Sequence, residues 1–196
     1  MTPEEDAIGS TVARSGHFLL ESGHHGDLWL DLELLCLRPR RLERAVAALS
    51  ERLRSLGVEA VCGPLNEGAF VALMVAAGLD VEFFYTERFE RAGSDGLFPV
   101  AYRLPRPLRS RVRGRRVAIV NDVINAGSAV RGTYADLLAC GAVLVALAAL
   151  LVLGDAAERF AGENGVPLIS LSRRPNRSWT PEECPLCAEA VPLDAV

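Results

Sequence analysis

Residues 116–131, RVAIVNDVINAGSAVR, constrain this chain more than any other stretch. Val117-Ala118-Ile119-Val120 has the length and β-branched bias of a buried strand. A polar pair, Asn121-Asp122, follows it. After two more apolar residues comes a loop of small side chains, Asn125-Ala126-Gly127-Ser128-Ala129. A helix pattern then starts, with Val130, Leu137 and Leu138 apolar. Strand, small-residue turn and helix N-terminus together make an anion site, because free N–H groups and the positive end of the helix dipole converge there. Small side chains let an anion approach the backbone closely. A carboxylate at the strand's carboxyl end lies where open α/β sheets bind ligands, and it can accept hydrogen bonds from sugar hydroxyls. The plain alternative is an ordinary strand–turn–helix with a solvated aspartate.

The rest of the chain repeats this alternation. Strands are predicted at 28–32, 58–62, 81–85, 97–104, 143–153 and 166–171, and helices at 39–56, 67–77, 130–140 and 155–163. Residues 10–20 read as a short helix followed by a strand. Pro39 opens the second helix, Leu42, Val46, Leu49 and Leu53 share one face of it, and Gly57 closes it. Gly78 and Gly141 are read as further helix stops. Strands alternating with helices imply an α/β fold with a parallel-sheet core flanked by helices. Residues 86–96, charged and glycine-containing, read as a mobile loop, 106–116 as a basic connector, and the proline-rich tail from 175 as irregular. The 196 residues show no repeat or linker and suit a single domain.

Composition excludes several function classes. Half the residues are hydrophobic, which argues against disorder, and the net charge of −4 argues against a dedicated nucleic-acid binder. The acidic start Met1-Thr2-Pro3-Glu4-Glu5-Asp6 is no signal peptide, and the apolar run 142–153 is too short to span a bilayer. The expectation is a cytoplasmic protein with no membrane partner. All 21 basic residues are arginine, so cationic work on anions falls to a group that forms no Schiff base and serves poorly as a general acid.

Two further motifs carry chemistry. Cys62-Gly63-Pro64-Leu65-Asn66-Glu67-Gly68 is again a strand end, a turn and a helix start, so Pro64, Asn66, Glu67 and Gly68 form a candidate second anion loop. The five cysteines are scattered, which makes a disulfide framework unexpected. Cys184-Pro185-Leu186-Cys187 has the spacing of a zinc knuckle, but it is half of a four-ligand site. Cys36, Cys62, Cys140 or a second copy of the chain would have to complete it, although Cys62 and Cys140 read as buried. The competing reading is a plain structural thiol pair; a redox pair lacks the strand–helix context.

Residues 116–131 resemble the phosphoribosyl pyrophosphate (PRPP) motif of the type I phosphoribosyltransferases. In that family two acids after the strand hold the ribose hydroxyls and the small-residue loop holds the 5′-phosphate. Asn121 stands here where the first acid is usual. The resemblance makes the loop at Pro64–Gly68 the pyrophosphate loop, with Glu67 where Thr or a basic residue is usual; that carboxylate repels a diphosphate unless Mg²⁺ lies between them or it turns away. Residues 16–31, GHFLLESGHHGDLWLD, resemble the opening of orotate phosphoribosyltransferases, part of a hood over the base. The likeness covers about residues 15–154. It implies a hood at 1–36, an α/β core at 37–171 and a tail at 172–196. Trp29 then stacks on a planar base or packs beneath the hood. His25 contacts substrate or is solvated. The segment 85–93 takes the place of the family's mobile catalytic loop, with Arg88 and Arg91 where lysines are usual and no counterpart to its histidine. It otherwise reads as a solvated charged loop.

The resemblance implies PRPP-dependent phosphoribosyl transfer with Mg²⁺, most simply to orotate, and a homodimer. Asn121, Glu67 and the lysine-free loop leave open a catalytically weak or inactive PRPP-sensing protein, or a transferase for another base. Asn121 removes a negative charge near the developing cation, so Asn121→Asp is expected to raise activity.

Overall fold

The computed structural model describes residues 13–90 and 100–194. Strands β1 (Ala13–Leu19) and β2 (His25–Leu30) form an antiparallel hairpin. Helix α1 (Glu43–Arg54) leads to β3 (Ala60–Pro64), α2 (Glu67–Leu79) and β4 (Glu82–Glu90). After β5 (Val100–Arg103) come β6 (Arg116–Ile124), α3 (Ser128–Ala139), β7 (Val143–Leu153), α4 (Ala156–Glu163) and β8 (Leu168–Arg174). A two-residue β9 (Ser178–Trp179) and a short α5 (Pro185–Ala188) close the described chain.

The main sheet has the order β5-β4-β3-β6-β7-β8, and all its pairs are parallel except the edge pair β4–β5. Two-residue periodicity sorts its side chains into two layers. Ala118 and Val120 of β6 face Val46, Leu49, Val71 and Val75 of α1 and α2. Val117 and Ile119 face Leu137 of α3 and Ala157 and Ala161 of α4 on the other side. Each buried Leu or Val of these layers contributes about 1.5–3 kcal/mol relative to exposure. Strand β7, between β6 and β8, is apolar throughout, and from Ala146 on it is buried on both faces.

From β3 the chain crosses to β4 on one side; from β6 it crosses to β7 on the other. The order of the sheet therefore reverses between the neighbours β3 and β6, and a crevice opens beyond their carboxyl ends. The second sheet, β1-β2-β9, forms the hood.

Several expectations from sequence are corrected. Strand β6 runs on to Ile124, so Asn121 and Asp122 are buried within it rather than following it. The expected loop at 86–96 begins as strand: Glu87–Glu90 of β4 pair with Val100–Arg103, which places Arg88 in a ladder. Arg91 lies outside the described residues, as do 1–12, which hold the start of the helix expected near 10; residues from Ala13 form strand. Gly78 does not stop its helix. It lies inside α2, where a Cβ would come 2.9 Å from Ser50 Oγ of α1, and the helix ends at Asp80 in the left-handed region at φ 56°. The tail is not wholly irregular, since Ser178 and Trp179 pair with Gly26 and His25 of the hood. Among the described residues no helix is long and apolar enough to cross a membrane.

Candidate active site

The loop after β6 delivers the geometry of an anion site. Gly127 adopts φ 85°, which turns the chain from strand into α3, and no side chain caps the helix. Among the described residues Arg131 is the first amide of this helix to reach a backbone carbonyl, that of Gly127 at 2.8 Å. The amides of Ser128, Ala129 and Val130 are thus the helix's orphan donors. Asn125 Oδ1 accepts a 2.7 Å bond from the Asn176 side chain, so the tail braces the loop.

Asp122 is 3% exposed, and its Oδ2 has no hydrogen-bond partner. Burial pushes its pKa up to about 7; Glu67 and Glu33 push the same way, against bonds from the backbone amides of Val123 and of Asp122 itself. Burial thus favours the neutral carboxyl and leaves one oxygen without a partner, although Asp122 is not among the residues that line the cavity over the loop. Asn121 is also buried, and its Nδ2 donates 2.7 Å to the carbonyl of Val123. Its Oδ1 lies so close to Gly68 that a Cβ there would sit 1.9 Å from it. Only glycine lets α2 start against this side chain.

A cavity of about 360 Å³ lies over the loop, lined by Glu67, Asn121, residues 125–130 and, from the hood side, Glu21, Leu28 and Trp29. Trp29 is half-buried. It lines this cavity, and its ring lies 6.1 Å from that of Phe18. Of the second loop, Glu67 alone reaches the cavity; Asn66 is exposed, and Pro64 and Gly68 are buried.

Glu21, which the sequence did not single out, closes the site. Ser128 Oγ donates 2.7 Å to its Oε1, the Tyr102 hydroxyl donates to both oxygens at 3.1 and 3.0 Å, and Arg88 Nε lies 2.9 Å from Oε2. Burial, and then the Glu21 charge, raise the Tyr102 pKa, keeping that hydroxyl a donor. A hood carboxylate thus occupies hydroxyl and guanidinium donors beside the N-terminus of α3, where an anion is favoured. The signal in sequence was faint: an acidic residue in the hairpin turn, 107 residues from Ser128.

His25 is corrected. It is not among the cavity-lining residues; it is buried against His17, with His17 Nε2 and His25 Nδ1 3.0 Å apart. The cysteine pair is corrected as well. Cys62 and Cys140 are buried in the core as expected, and the groups beside Cys184 and Cys187 are these two histidines.

The fold, the switch-point crevice and the open helix N-terminus define a phosphoribosyltransferase scaffold. Residues 37–164 match the phosphoribosyl transferase domain, and the chain belongs to the type I phosphoribosyltransferase family. It is 33% identical over 187 residues to an orotate phosphoribosyltransferase of Heliobacterium modesticaldum, covering 93% of this chain and 90% of that one. It is 32% identical over 182 residues to that of Carboxydothermus hydrogenoformans, covering 91% of this chain and 87% of the relative. Two solved structures share the fold. Orotate phosphoribosyltransferase from Aeropyrum pernix has a TM-score of 0.63 at 24% identity, over 83% of this chain and 88% of that one. Adenine phosphoribosyltransferase from Trypanosoma brucei, solved with AMP, pyrophosphate and ribose-5-phosphate, has a TM-score of 0.65 at 18% identity, over 88% of this chain and 80% of that one.

Proposed function

We propose that the chain transfers phosphoribose from PRPP to orotate, giving orotidine monophosphate and pyrophosphate. One observation carries the reading: residues 125–130, with the orphan amides of Ser128–Val130, and Asn121 near the end of β6 line one cavity with Glu67 and Trp29. Asp122, next to Asn121 in the strand, is buried and has to turn to reach that cavity. The 5′-phosphate sits on those amides. Asp122 Oδ2 accepts from a ribose hydroxyl, and Asn121 flanks it. The planar base lies against Trp29. The C1′–O bond breaks with its electron pair leaving on the diphosphate, and the base nitrogen bonds C1′ and gives up its proton to the diphosphate or to water. The carboxylates of Asp122 and Glu67 favour the cationic character that C1′ develops. Among the described residues that line the cavity none is a lysine or histidine that could protonate the departing diphosphate. Arg88 could offer a guanidinium to the diphosphate once Glu21, which holds its Nε at 2.9 Å, releases it.

The residues fit Mg²⁺, which transferases of this family use with PRPP. Asp122, with its unsatisfied buried oxygen, and Glu67 are hard oxygen donors of the kind that ion selects. When bound, it would neutralise diphosphate charge beside Glu67.

For the phosphate to take the Ser128 hydroxyl, Glu21 must let go. The same contact, with the amide at Asn121, favours a second reading: a PRPP-binding protein with little turnover. Pyrophosphate release from PRPP and Mg²⁺ across a panel of bases separates the two. Release with orotate is the expected result. Release with a different base alone overturns the choice of orotate, and PRPP binding with no release from any base overturns transfer in favour of the second reading.

A further inference from the structure

We propose that His17, His25, Cys184 and Cys187 bind one structural Zn²⁺ that staples the tail to the hood. The four ligand atoms lie within 4.8 Å of one another. His17 Nε2 is 3.0 Å from His25 Nδ1, 3.4 Å from Cys184 Sγ and 3.8 Å from Cys187 Sγ, and Cys187 Sγ is 3.2 Å from His25 Nδ1. With Zn–N of about 2.0–2.1 Å and Zn–S of about 2.3 Å, a tetrahedral ion has ligand–ligand edges of roughly 3.3–3.8 Å. These four spacings, 3.0–3.8 Å, are close to such edges, and the other two pairs lie within 4.8 Å, so the ligands need to draw together modestly around the ion.

Hydrogen bonding alone does not account for the arrangement. A ring nitrogen carries either one proton or one in-plane lone pair, so His17 Nε2 can make one good hydrogen bond, yet it has three close neighbours. A corner of a tetrahedron has three neighbours by construction. The other nitrogen of the same ring, Nδ1, lies 2.9 Å from the Val191 carbonyl. That contact requires the proton on Nδ1 and leaves Nε2 with its lone pair toward the cluster, the outer-shell arrangement that orients metal-binding histidines.

Ligand chemistry names the ion. Two thiolates and two imidazoles in a tetrahedron select zinc, and four protein ligands leave no open position, so the site is structural rather than catalytic. Its place in the fold gives it work to do. His17 is on β1, His25 on β2, and both cysteines follow β9, whose ladder to β2 is two residue pairs long. Beyond that ladder the tail meets the hood through the backbone of Asp194, which bonds Leu19 and His17 of β1, so the ion would tie the stretch between these two contacts to both strands. The hairpin fixed this way carries Glu21 and Trp29, and the tail carries Asn176, so three groups at or bracing the cavity are tied to one ion. This inference stands independently of the proposed reaction.

The test is metal content of the purified full-length protein, followed by Co²⁺ replacement. The expected result is about one zinc per chain, lost in the Cys184→Ser/Cys187→Ser double variant and kept in Cys36→Ser. Cobalt should give the thiolate charge-transfer band and the intense visible bands of a tetrahedral ion. Less than half an equivalent of zinc in reduced wild-type protein overturns the proposal. So does a Cys184–Cys187 disulfide in its place, or zinc retained by the double variant. Should that variant not fold, the wild-type metal count and cobalt spectrum decide alone.

Discussion

Asp122 is costly to the empty protein and useful to the occupied one. Its folded pKa, near 7, lies above its unfolded value of 3.8. Its contribution therefore favours folding fully below the unfolded value and is lost as pH rises through about 7. Asp122→Asn should make the ligand-free protein more stable than wild type at pH 8, by at most about 4 kcal/mol, with the difference vanishing near pH 4. The same variant should bind PRPP far more weakly. Urea unfolding at several pH values, paired with calorimetry, checks both halves, and equal stability at pH 8 would show that the carboxyl is not strained. The expected gain from Asn121→Asp is reversed by the geometry. The amide donates to the Val123 carbonyl, whereas a carboxylate would set two acceptors face to face. That variant should lose about 1–3 kcal/mol of stability and gain no activity in a steady-state assay. Glu21→Gln, by contrast, removes a charge competing with phosphate at Ser128, and KM for PRPP should fall about twofold to fivefold.

At the scale of elements, the site is made by two strand ends and the helices that follow them. Residues 116–131 were legible because each part rests on local chemistry: β-branched residues make the strand, small residues make the turn, and orphan amides make the anion site. β7 was legible to the residue, Val143–Leu153, because a strand buried on both faces reads as an unbroken apolar run. The ends of β4 and β6 were not, since Thr86–Glu90 and Asn121–Ile124 are polar or mixed, and tertiary pairing extends them past the local pattern. Gly68 shows how closely the two units meet. Gly68→Ala places a Cβ against Asn121 Oδ1, so either the Asn121 side chain gives up its bond to Val123 or α2 shifts away from β6. The expected outcome is a protein destabilised by about 1–3 kcal/mol that no longer binds PRPP. Wild-type PRPP affinity in a folded Gly68→Ala protein would show that the junction tolerates the shift.

Over the whole molecule, what the sequence hid is what joins distant segments. His17 and Cys184 are 167 residues apart, and Asn125 and Asn176 are 51 apart, with no local pattern to link them. The CxxC spacing offered half of a candidate metal site, and the two histidines beside it lie on two strands of a hairpin read for a different purpose. The core and the hood consequently differ in what holds them. The core has two apolar layers; the hood has the β1–β2 ladder, the short β2–β9 ladder, backbone bonds between Asp194 and β1, the packing of Leu28 and Leu30 against Val123, Leu151 and Leu153, the Arg177–Asp27 ion pair at 2.7 Å and the proposed zinc. Removing the ion should therefore act on one part of the molecule. At free zinc 100-fold above its Kd the ion adds about 2.7 kcal/mol, which for a chain of this size corresponds to roughly 5–11 °C in Tm. Chelation should lower Tm by that amount and open the tail beyond residue 174 and the β1–β2 hairpin to protease while the six-stranded sheet stays protected. Binding of ribose-5-phosphate, which needs chiefly the loop after β6, should weaken less than binding of PRPP together with orotate, which also needs Trp29 in place. A chelated protein with unchanged Tm and an uncut tail would show that the hood is held without metal.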